Sequence, residues 1–157
     1  MNDSDPNPAY PRPVEILLVE DSPADIALTE EALLESKLHN NLYVVTDGEA
    51  AMAFLRREPP HESAPRPDLI LLDLNLPKKN GREVLAEIKC DPSLSMIPIV
   101  IMTVSRDERD ILESYRLHAN CYIRKPVRFR EFIEIVKSIE DFWFSIVTLP
   151  PNAGNRE

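Results

Sequence analysis

Short apolar segments alternate along this chain with segments whose apolar residues recur at helical spacing. The short apolar runs, which are typical of buried strands, lie at 14–20, 43–45, 68–73, 98–103 and 121–124. Helical spacing and turn signals predict helices at 23–37, 48–57, 81–91, 107–117 and 129–144. The stretch 58–67 contains four prolines and is predicted to be a loop.

Strands that alternate with helices in this way predict an α/β fold. Right-handed βαβ crossovers produce a parallel sheet with helices on both faces, so we expect a three-layer (βα)5 sandwich. For five such units the common strand order is the flavodoxin-like 2-1-3-4-5, which places strands one and three side by side. The first helix should begin with Ser22 as N-cap and Pro23 as its first residue. Its predicted apolar stripe consists of Ile26, Ala27, Leu33, Leu34 and Leu38.

The composition is that of a globular protein, since 43% of the 157 residues are hydrophobic and 29% are charged. We expect a single domain at 14–149 with an extended C-terminal helix, between a disordered segment at 1–13 and a loose tail at 150–157. The net charge of −9 argues against nonspecific nucleic-acid binding. No run has the pattern of a targeting signal or a membrane span, so we expect a cytoplasmic protein with no membrane partner.

Two of the predicted strands end on acidic residues. Glu20 and Asp21 follow the first strand, and Asp73 follows the third. Because neighbouring parallel strands present functional residues at their carboxyl ends, the three carboxylates should meet at one sheet edge. Like charges in a partly desolvated site repel each other, so this cluster needs a cation. Oxygen ligands suit Mg²⁺, and the pattern therefore predicts Mg²⁺-dependent phosphate chemistry.

Two further strand ends add polar residues to the same edge. Thr103 ends the fourth strand, and Lys125-Pro126 follows the fifth. Each residue also has an ordinary structural explanation: Asp as a helix cap, Thr as a strand former, Lys as a solvated side chain. Their joint placement at four strand ends favours one functional site over five independent coincidences.

The chain resembles the receiver domains of two-component response regulators. The matching motifs are Val19-Glu20-Asp21, Leu72-Asp73-Leu74-Asn75-Leu76-Pro77 with the following Gly81, Thr103, and Lys125-Pro126. The resemblance covers nearly all of 14–139. More narrowly, the stretches 73–85, 118–127 and 139–144 are similar to stand-alone regulators that are paired with cyanobacterial phytochrome histidine kinases.

The resemblance implies how phosphoryl transfer would proceed. Asp73 would be the phosphoacceptor, attacking a phosphohistidine of a sensor histidine kinase. Mg²⁺ would be held by Glu20, Asp21, Asp73 and the backbone carbonyl of Asn75. Lys125 would supply a second positive charge to the phosphoryl group. Such a protein is not an enzyme in the ordinary sense, because it catalyses only its own phosphorylation and dephosphorylation.

The resemblance also implies a conformational switch. Thr103 would hydrogen-bond the phosphoryl group, and Tyr122 would move inward as Thr103 leaves its pocket. A cis peptide bond would precede Pro126, a conformation that is realistic only before proline. Simple packing of Tyr122 on the fifth strand stays open as an alternative.

The last helix is predicted to carry two apolar stripes. One stripe, which should cover the sheet, consists of Phe132, Val136, Ile139 and Trp143. The neighbouring stripe consists of Ile135, Phe142 and Ile146. A second apolar stripe marks an interaction surface, so we expect a homodimer through helix four, strand five and helix five. The alternative is that the C-terminal segment folds back over its own domain.

Other functions fit the sequence less well. A haloacid-dehalogenase-like phosphatase needs an aspartate two positions after its nucleophile, where this chain has Asn75. In a flavodoxin-like FMN binder, Glu20 and Asp21 would repel the phosphate. A pseudo-receiver that acts as a phosphorylation-independent interaction module is the remaining alternative, although all five expected site residues are present.

Overall fold

Five parallel strands form the central sheet of the computed structural model, which describes residues 12–35, 39–126, 128–143 and 150. The strands are β1 (Val14–Val19), β2 (Asn40–Val45), β3 (Leu69–Leu72), β4 (Ile99–Thr103) and β5 (Cys121–Arg124). The helices are α1 (Pro23–Leu34), α2 (Gly48–Arg56), α3 (Gly81–Cys90), α4 (Glu108–Arg116) and α5 (Phe129–Asp141). The strand order is β2-β1-β3-β4-β5, so the predicted fold class and order are confirmed.

Alternation along the strands divides the apolar residues between two cores. Leu17 and Val19 of β1 belong to a core that includes buried residues of α2 and α3. Ile16 and Leu18, which point to the opposite face, belong to a core that includes buried residues of α1 and α5. The sheet is therefore covered on both faces, as in other parallel sheets whose strands are continuously apolar.

The first helix shows where local pattern and packing disagree. Ser22 caps α1 and Pro23 begins it, as predicted. Leu34, however, is 86% exposed and Ala27 is also exposed, so their predicted place on the packed stripe is wrong. The residues of α1 that are buried are Thr29, Ala32 and Leu33. The side chains of successive helical residues point in directions about 100° apart around the helix axis, so Leu33 and Leu34 cannot both face the sheet.

Several element ends differ from the predicted ones. β2 begins at Asn40 rather than 43, because its backbone pairs with β1 from Val14 onward although the first side chains are polar. α1 ends at Leu34, and α5 ends at Asp141. The predictions about 1–11, Leu38, 144–149 and 151–157, including Ile146 of the second stripe, fall outside the described residues.

The last two helices along the chain contribute unequally to the apolar core. Phe132, Val136 and Ile139 of α5 are buried, and Trp143 packs against the same core, as predicted. α4 buries only Ser114 among its residues, and its Leu112 is exposed. None of the described helices combines the length and apolarity needed to cross a bilayer.

Candidate functional site

The strand register brings the three predicted acids together. Val19 of β1 pairs with Leu72 of β3, so the residues that follow each strand emerge side by side. Carboxylate oxygens of Glu20, Asp21 and Asp73 all lie within 4.8 Å of one another. Glu20 and Asp73 are only 3% and 6% exposed, whereas Asp21 is exposed. This triplet of oxygen donors, open on the Asp21 side, has the chemistry that a hard divalent cation needs.

Both carboxylate oxygens of Asp73 are held by hydrogen bonds. The Asn75 backbone N–H donates to Oδ1 at 3.0 Å, and Lys125 Nζ donates to Oδ2 at 2.7 Å. The Asp73 backbone N–H donates to the Val19 carbonyl at 3.1 Å, which fixes the loop to β1. Asp73 is therefore a buried carboxylate with a fixed orientation at the carboxyl end of β3.

Gly81 allows the loop after Asp73 to fold closely against the start of α3. Its N–H donates to the Leu74 carbonyl at 2.9 Å. A Cβ at this position would lie 2.3 Å from the Asp73 carbonyl oxygen and 2.5 Å from the Leu74 Cα. No side chain fits there without moving the backbone of Asp73, which accounts for the glycine in the motif.

The Lys125 ammonium is the positive centre of the site. Its Nζ contacts Glu20, Asp25 and Asp73, at 2.8 Å for Asp25 and 2.7 Å for Asp73. Its side chain is only 5% exposed. Sequence reasoning missed Asp25, because this residue belongs to the first turn of α1 and does not directly follow a strand. The sequence does contain a clue to Asp25, because the first turn of α1 comes immediately after the Glu20-Asp21 motif.

Burial and charged hydrogen-bond partners shift the pKa values of Glu20 and Lys125 in opposite directions. Burial raises the pKa of Glu20 to about 7, although the hydrogen bond from Lys125 works against this shift. Burial alone would lower the pKa of Lys125, but its hydrogen bonds with Asp25, Asp73 and Glu20 raise that pKa above its ordinary value. Lys125 is thus protonated at neutral pH. Its single charge does not balance the surrounding carboxylates, so the site favours an additional cation.

Thr103 contributes a buried hydroxyl at the carboxyl end of β4. The residue is fully buried, and its Oγ1 has no hydrogen-bond partner within the described part of the chain. Leaving a buried hydroxyl unpaired costs about 1–3 kcal/mol. An oxygen-rich group bound at this sheet edge would satisfy it.

Tyr122 is half-buried against the core on the α2 and α3 side. Its hydroxyl donates to the Ser105 carbonyl at 3.2 Å. The Ser105 hydroxyl in turn donates to Asp110 of α4, which also accepts from Arg82 of α3. These contacts join the loop after Thr103 to two helices, a network that sequence reasoning did not identify.

One conformational prediction at this site is wrong. The peptide bond before Pro126 is trans, and the cis peptide bond found among the described residues joins Pro59 and Pro60. The trans form of a bond before proline is favoured by only about 0.5–1 kcal/mol, so the local sequence does not decide the isomer.

Comparison with known proteins identifies the family. The model of the response regulator receiver domain matches residues 16–137. The response regulator Rcp1 of Synechocystis is 53% identical over 138 residues, which cover 88% of this chain and 94% of Rcp1. The probable methanogenesis regulatory protein FilR2 of Methanothrix harundinacea is 38% identical over 133 residues, covering 83% of this chain and 84% of FilR2.

Solved structures show the same relationship. The phosphorylated cyanobacterial phytochrome response regulator RcpA has a TM-score of 0.86 and 55% identity, covering 88% of this chain and 99% of RcpA. The Mn²⁺-bound form of Rcp1 has a TM-score of 0.85 and 53% identity, with 88% and 99% of the two chains covered. The predicted similarity to regulators of cyanobacterial phytochrome signalling is confirmed. This chain belongs to the response regulator receiver domain family.

Proposed function

We propose that this chain accepts a phosphoryl group from a sensor histidine kinase onto Asp73 in a Mg²⁺-dependent reaction. The observation that carries the proposal is the buried Asp73 carboxylate, which is held by Lys125 and lies within 4.8 Å of two further carboxylates. The unpaired hydroxyl of Thr103 at the neighbouring strand end supports it. The Mn²⁺-bound form of the related Rcp1 is consistent with a divalent-metal requirement.

The residues of the site divide the work of phosphoryl transfer. A carboxylate oxygen of Asp73 forms a bond to phosphorus as the bond from phosphorus to the kinase imidazole nitrogen breaks, giving an acyl phosphate. Glu20, Asp21, Asp73 and the Asn75 carbonyl would hold Mg²⁺, which would supply positive charge to neutralise the transferred group. Lys125 adds a second positive charge. Phosphoryl transfer depends mainly on such positioning and charge neutralisation.

The new phosphoryl group then engages the switch residues. Thr103 donates its hydroxyl to a phosphoryl oxygen and leaves its pocket, and Tyr122 moves inward. This movement breaks the 3.2 Å hydrogen bond from Tyr122 to the Ser105 carbonyl, and the loop after β4 rearranges. The added charge thereby favours one of two arrangements of the surface formed by α4, β5 and α5.

That surface is proposed to bind a second copy of the chain. Its apolar part is a groove of about 290 Å³ that includes Ile123, Ile135 and Phe142, and β5 is an edge strand of the sheet. Phe142 is 50% exposed and contacts the Trp143 ring edge-on, so these two aromatic side chains add to the apolar surface of the groove. Light scattering at high concentration, with and without beryllofluoride, tests this proposal. A monomer under both conditions would contradict it.

The remaining assignments follow the same family. We propose a single receiver domain at 14–149 between flanking terminal segments, and a phytochrome-like histidine kinase as the partner. The similarity to the phytochrome response regulator RcpA supports this kinase class. Location in the cytoplasm stays a prediction.

Intact mass measurement tests phosphoryl acceptance directly. The protein is incubated with Mg²⁺ and acetyl phosphate, alongside the Asp73→Asn variant and a wild-type sample with EDTA. We expect a gain of one phosphoryl group in wild type with Mg²⁺ and none in either control. No gain from acetyl phosphate or from a cognate kinase would favour the pseudo-receiver alternative.

A further inference from the structure

Asp25 is a third carboxylate partner of the buried Lys125 ammonium. Its Oδ2 lies 2.8 Å from Lys125 Nζ, which also contacts Asp73 Oδ2 at 2.7 Å and Glu20 Oε1. A lysine ammonium has three N–H donors, so these three carboxylates occupy all of them. Lys125 can donate to a phosphoryl oxygen only when one of the three gives up its contact.

The three carboxylates differ in what else they are placed to bind. Glu20 and Asp73 belong to the acidic triplet that fits a divalent cation, and Asp73 is also the proposed phosphoacceptor. Asp25 lies outside that triplet, in the first turn of α1. A cation held by the triplet would compete with Lys125 for Glu20 and Asp73, whereas Asp25, which is not part of the triplet, would stay available to Lys125.

The backbone around Asp25 is fixed by its position in the helix. Its N–H donates to the Ser22 hydroxyl at 3.3 Å, and its carbonyl accepts from the Thr29 hydroxyl at 2.8 Å. Thr29 is buried, so this turn of α1 is attached to the core. A carboxylate in the first turn is also stabilised by the helix dipole. These features fix the backbone from which the Asp25 carboxylate reaches Lys125.

We propose that Asp25 is a positioning residue for phosphoryl transfer, which keeps the Lys125 ammonium beside Asp73 when Glu20 binds the metal. The inference rests on the proposed function. Without Asp25, the ammonium lies at the end of a flexible four-carbon chain and is less often placed to meet the incoming phosphoryl group. Loss of one charge-assisted hydrogen bond corresponds to about a tenfold slower reaction.

The first test compares initial rates of phosphoryl gain from acetyl phosphate in Mg²⁺, measured by intact mass. Asp25→Ala should react about tenfold more slowly than wild type. Asp25→Asn should recover part of the rate, because its amide oxygen still accepts from Lys125. Glu30→Ala, which removes an exposed carboxylate of the same helix, should react at the wild-type rate.

A double-mutant cycle separates positioning from a general structural effect. In a Lys125→Gln background, Asp25→Ala should cause no further loss, because the residue through which Asp25 acts is gone. Three results would overturn the inference: a wild-type rate for Asp25→Ala, an Asp25→Asn rate no higher than that of Asp25→Ala, or an equal loss in the Lys125→Gln background.

A second test does not require phosphorylation. In protein containing ¹⁵N-labelled lysine and loaded with Mg²⁺, the Lys125 ammonium should give a slowly exchanging NMR signal in wild type and in Asp25→Asn. The signal should exchange rapidly in Asp25→Ala, and an unchanged signal would overturn the anchoring role. If wild type gains no phosphoryl group, the proposed function fails, but this measurement still decides whether Asp25 holds Lys125.

Discussion

Replacing Lys125 by methionine tests whether this side chain is the main counter-charge of the metal-free site. Lys125, Glu20 and Asp73 have side chains that are 5%, 4% and 6% exposed. Removing one partner of a buried ion pair costs about 3–5 kcal/mol, because the remaining charge stays buried without compensation. Methionine preserves most of the side-chain volume, so the loss reports charge more than packing. This loss is a large part of a typical unfolding free energy of about 5–15 kcal/mol.

Urea denaturation followed by circular dichroism measures the effect. In EDTA at pH 8, we expect the unfolding free energy of Lys125→Met to fall by about 3–5 kcal/mol. At pH 5 the loss should be smaller, because the unpaired carboxylates can take up protons. Mg²⁺ at a hundredfold excess over its dissociation constant should restore about 2.7 kcal/mol.

Lys137→Met is the matched control for this experiment. Lys137 Nζ lies 3.7 Å from Glu35, and the two side chains are 45% and 53% exposed. Such a surface pair contributes about 0–1 kcal/mol, so the control should unfold almost like wild type. A loss below about 1 kcal/mol for Lys125→Met in EDTA, or no recovery with Mg²⁺, would refute the reasoning.

Three further predictions concern pH, backbone packing and the loop after β4. Burial raises the pKa of Glu20 from 4.5 to about 7. In EDTA, the contribution of Glu20 to the unfolding free energy should therefore be fully present below pH 4.5 and decrease as pH rises through about 7. Urea unfolding of Glu20→Gln from pH 5 to 8 should lack this decrease. In Gly81→Ala, the added Cβ would lie 2.3 Å from the Asp73 carbonyl oxygen. This substitution should lower the unfolding free energy by about 1–3 kcal/mol and slow phosphoryl gain at Asp73. A urea unfolding midpoint equal to that of wild type would contradict this. Arg82→Ala removes one of the two groups that donate to Asp110, the other being the Ser105 hydroxyl. Amide exchange in the loop after β4, measured by NMR, should therefore become faster.

The sequence predicts most of the site because parallel strands end at one edge of a sheet. Glu20, Asp21 and Asp73 could be placed together from strand positions alone, and Thr103 and Lys125 followed from the same rule. The described structure brings the three acids and Lys125 into one cluster. Their chemical roles stay predictions that phosphorylation experiments decide.

The same local reasoning fails where the choice depends on a neighbouring element. Leu33 and Leu34 have similar hydropathy, but only Leu33 is buried, because the sheet fixes the rotation of α1 about its axis. The polar start of β2 was missed because Asn40 and Asn41 are recruited by backbone pairing with β1. The isomer of the bond before Pro126 depends on free-energy differences too small for the local sequence to determine.

The sequence by itself determined the order of elements, the two-sided burial of the sheet and the edge at which acidic residues collect. These features depend on periodicity and chain direction, which are local properties. Only the tertiary structure decided that Asp25 reaches Lys125, 100 residues away along the chain, and that Asp110 joins Ser105 to Arg82. Such contacts depend on the rotation and depth at which each helix packs on the sheet, which many distant side chains set together.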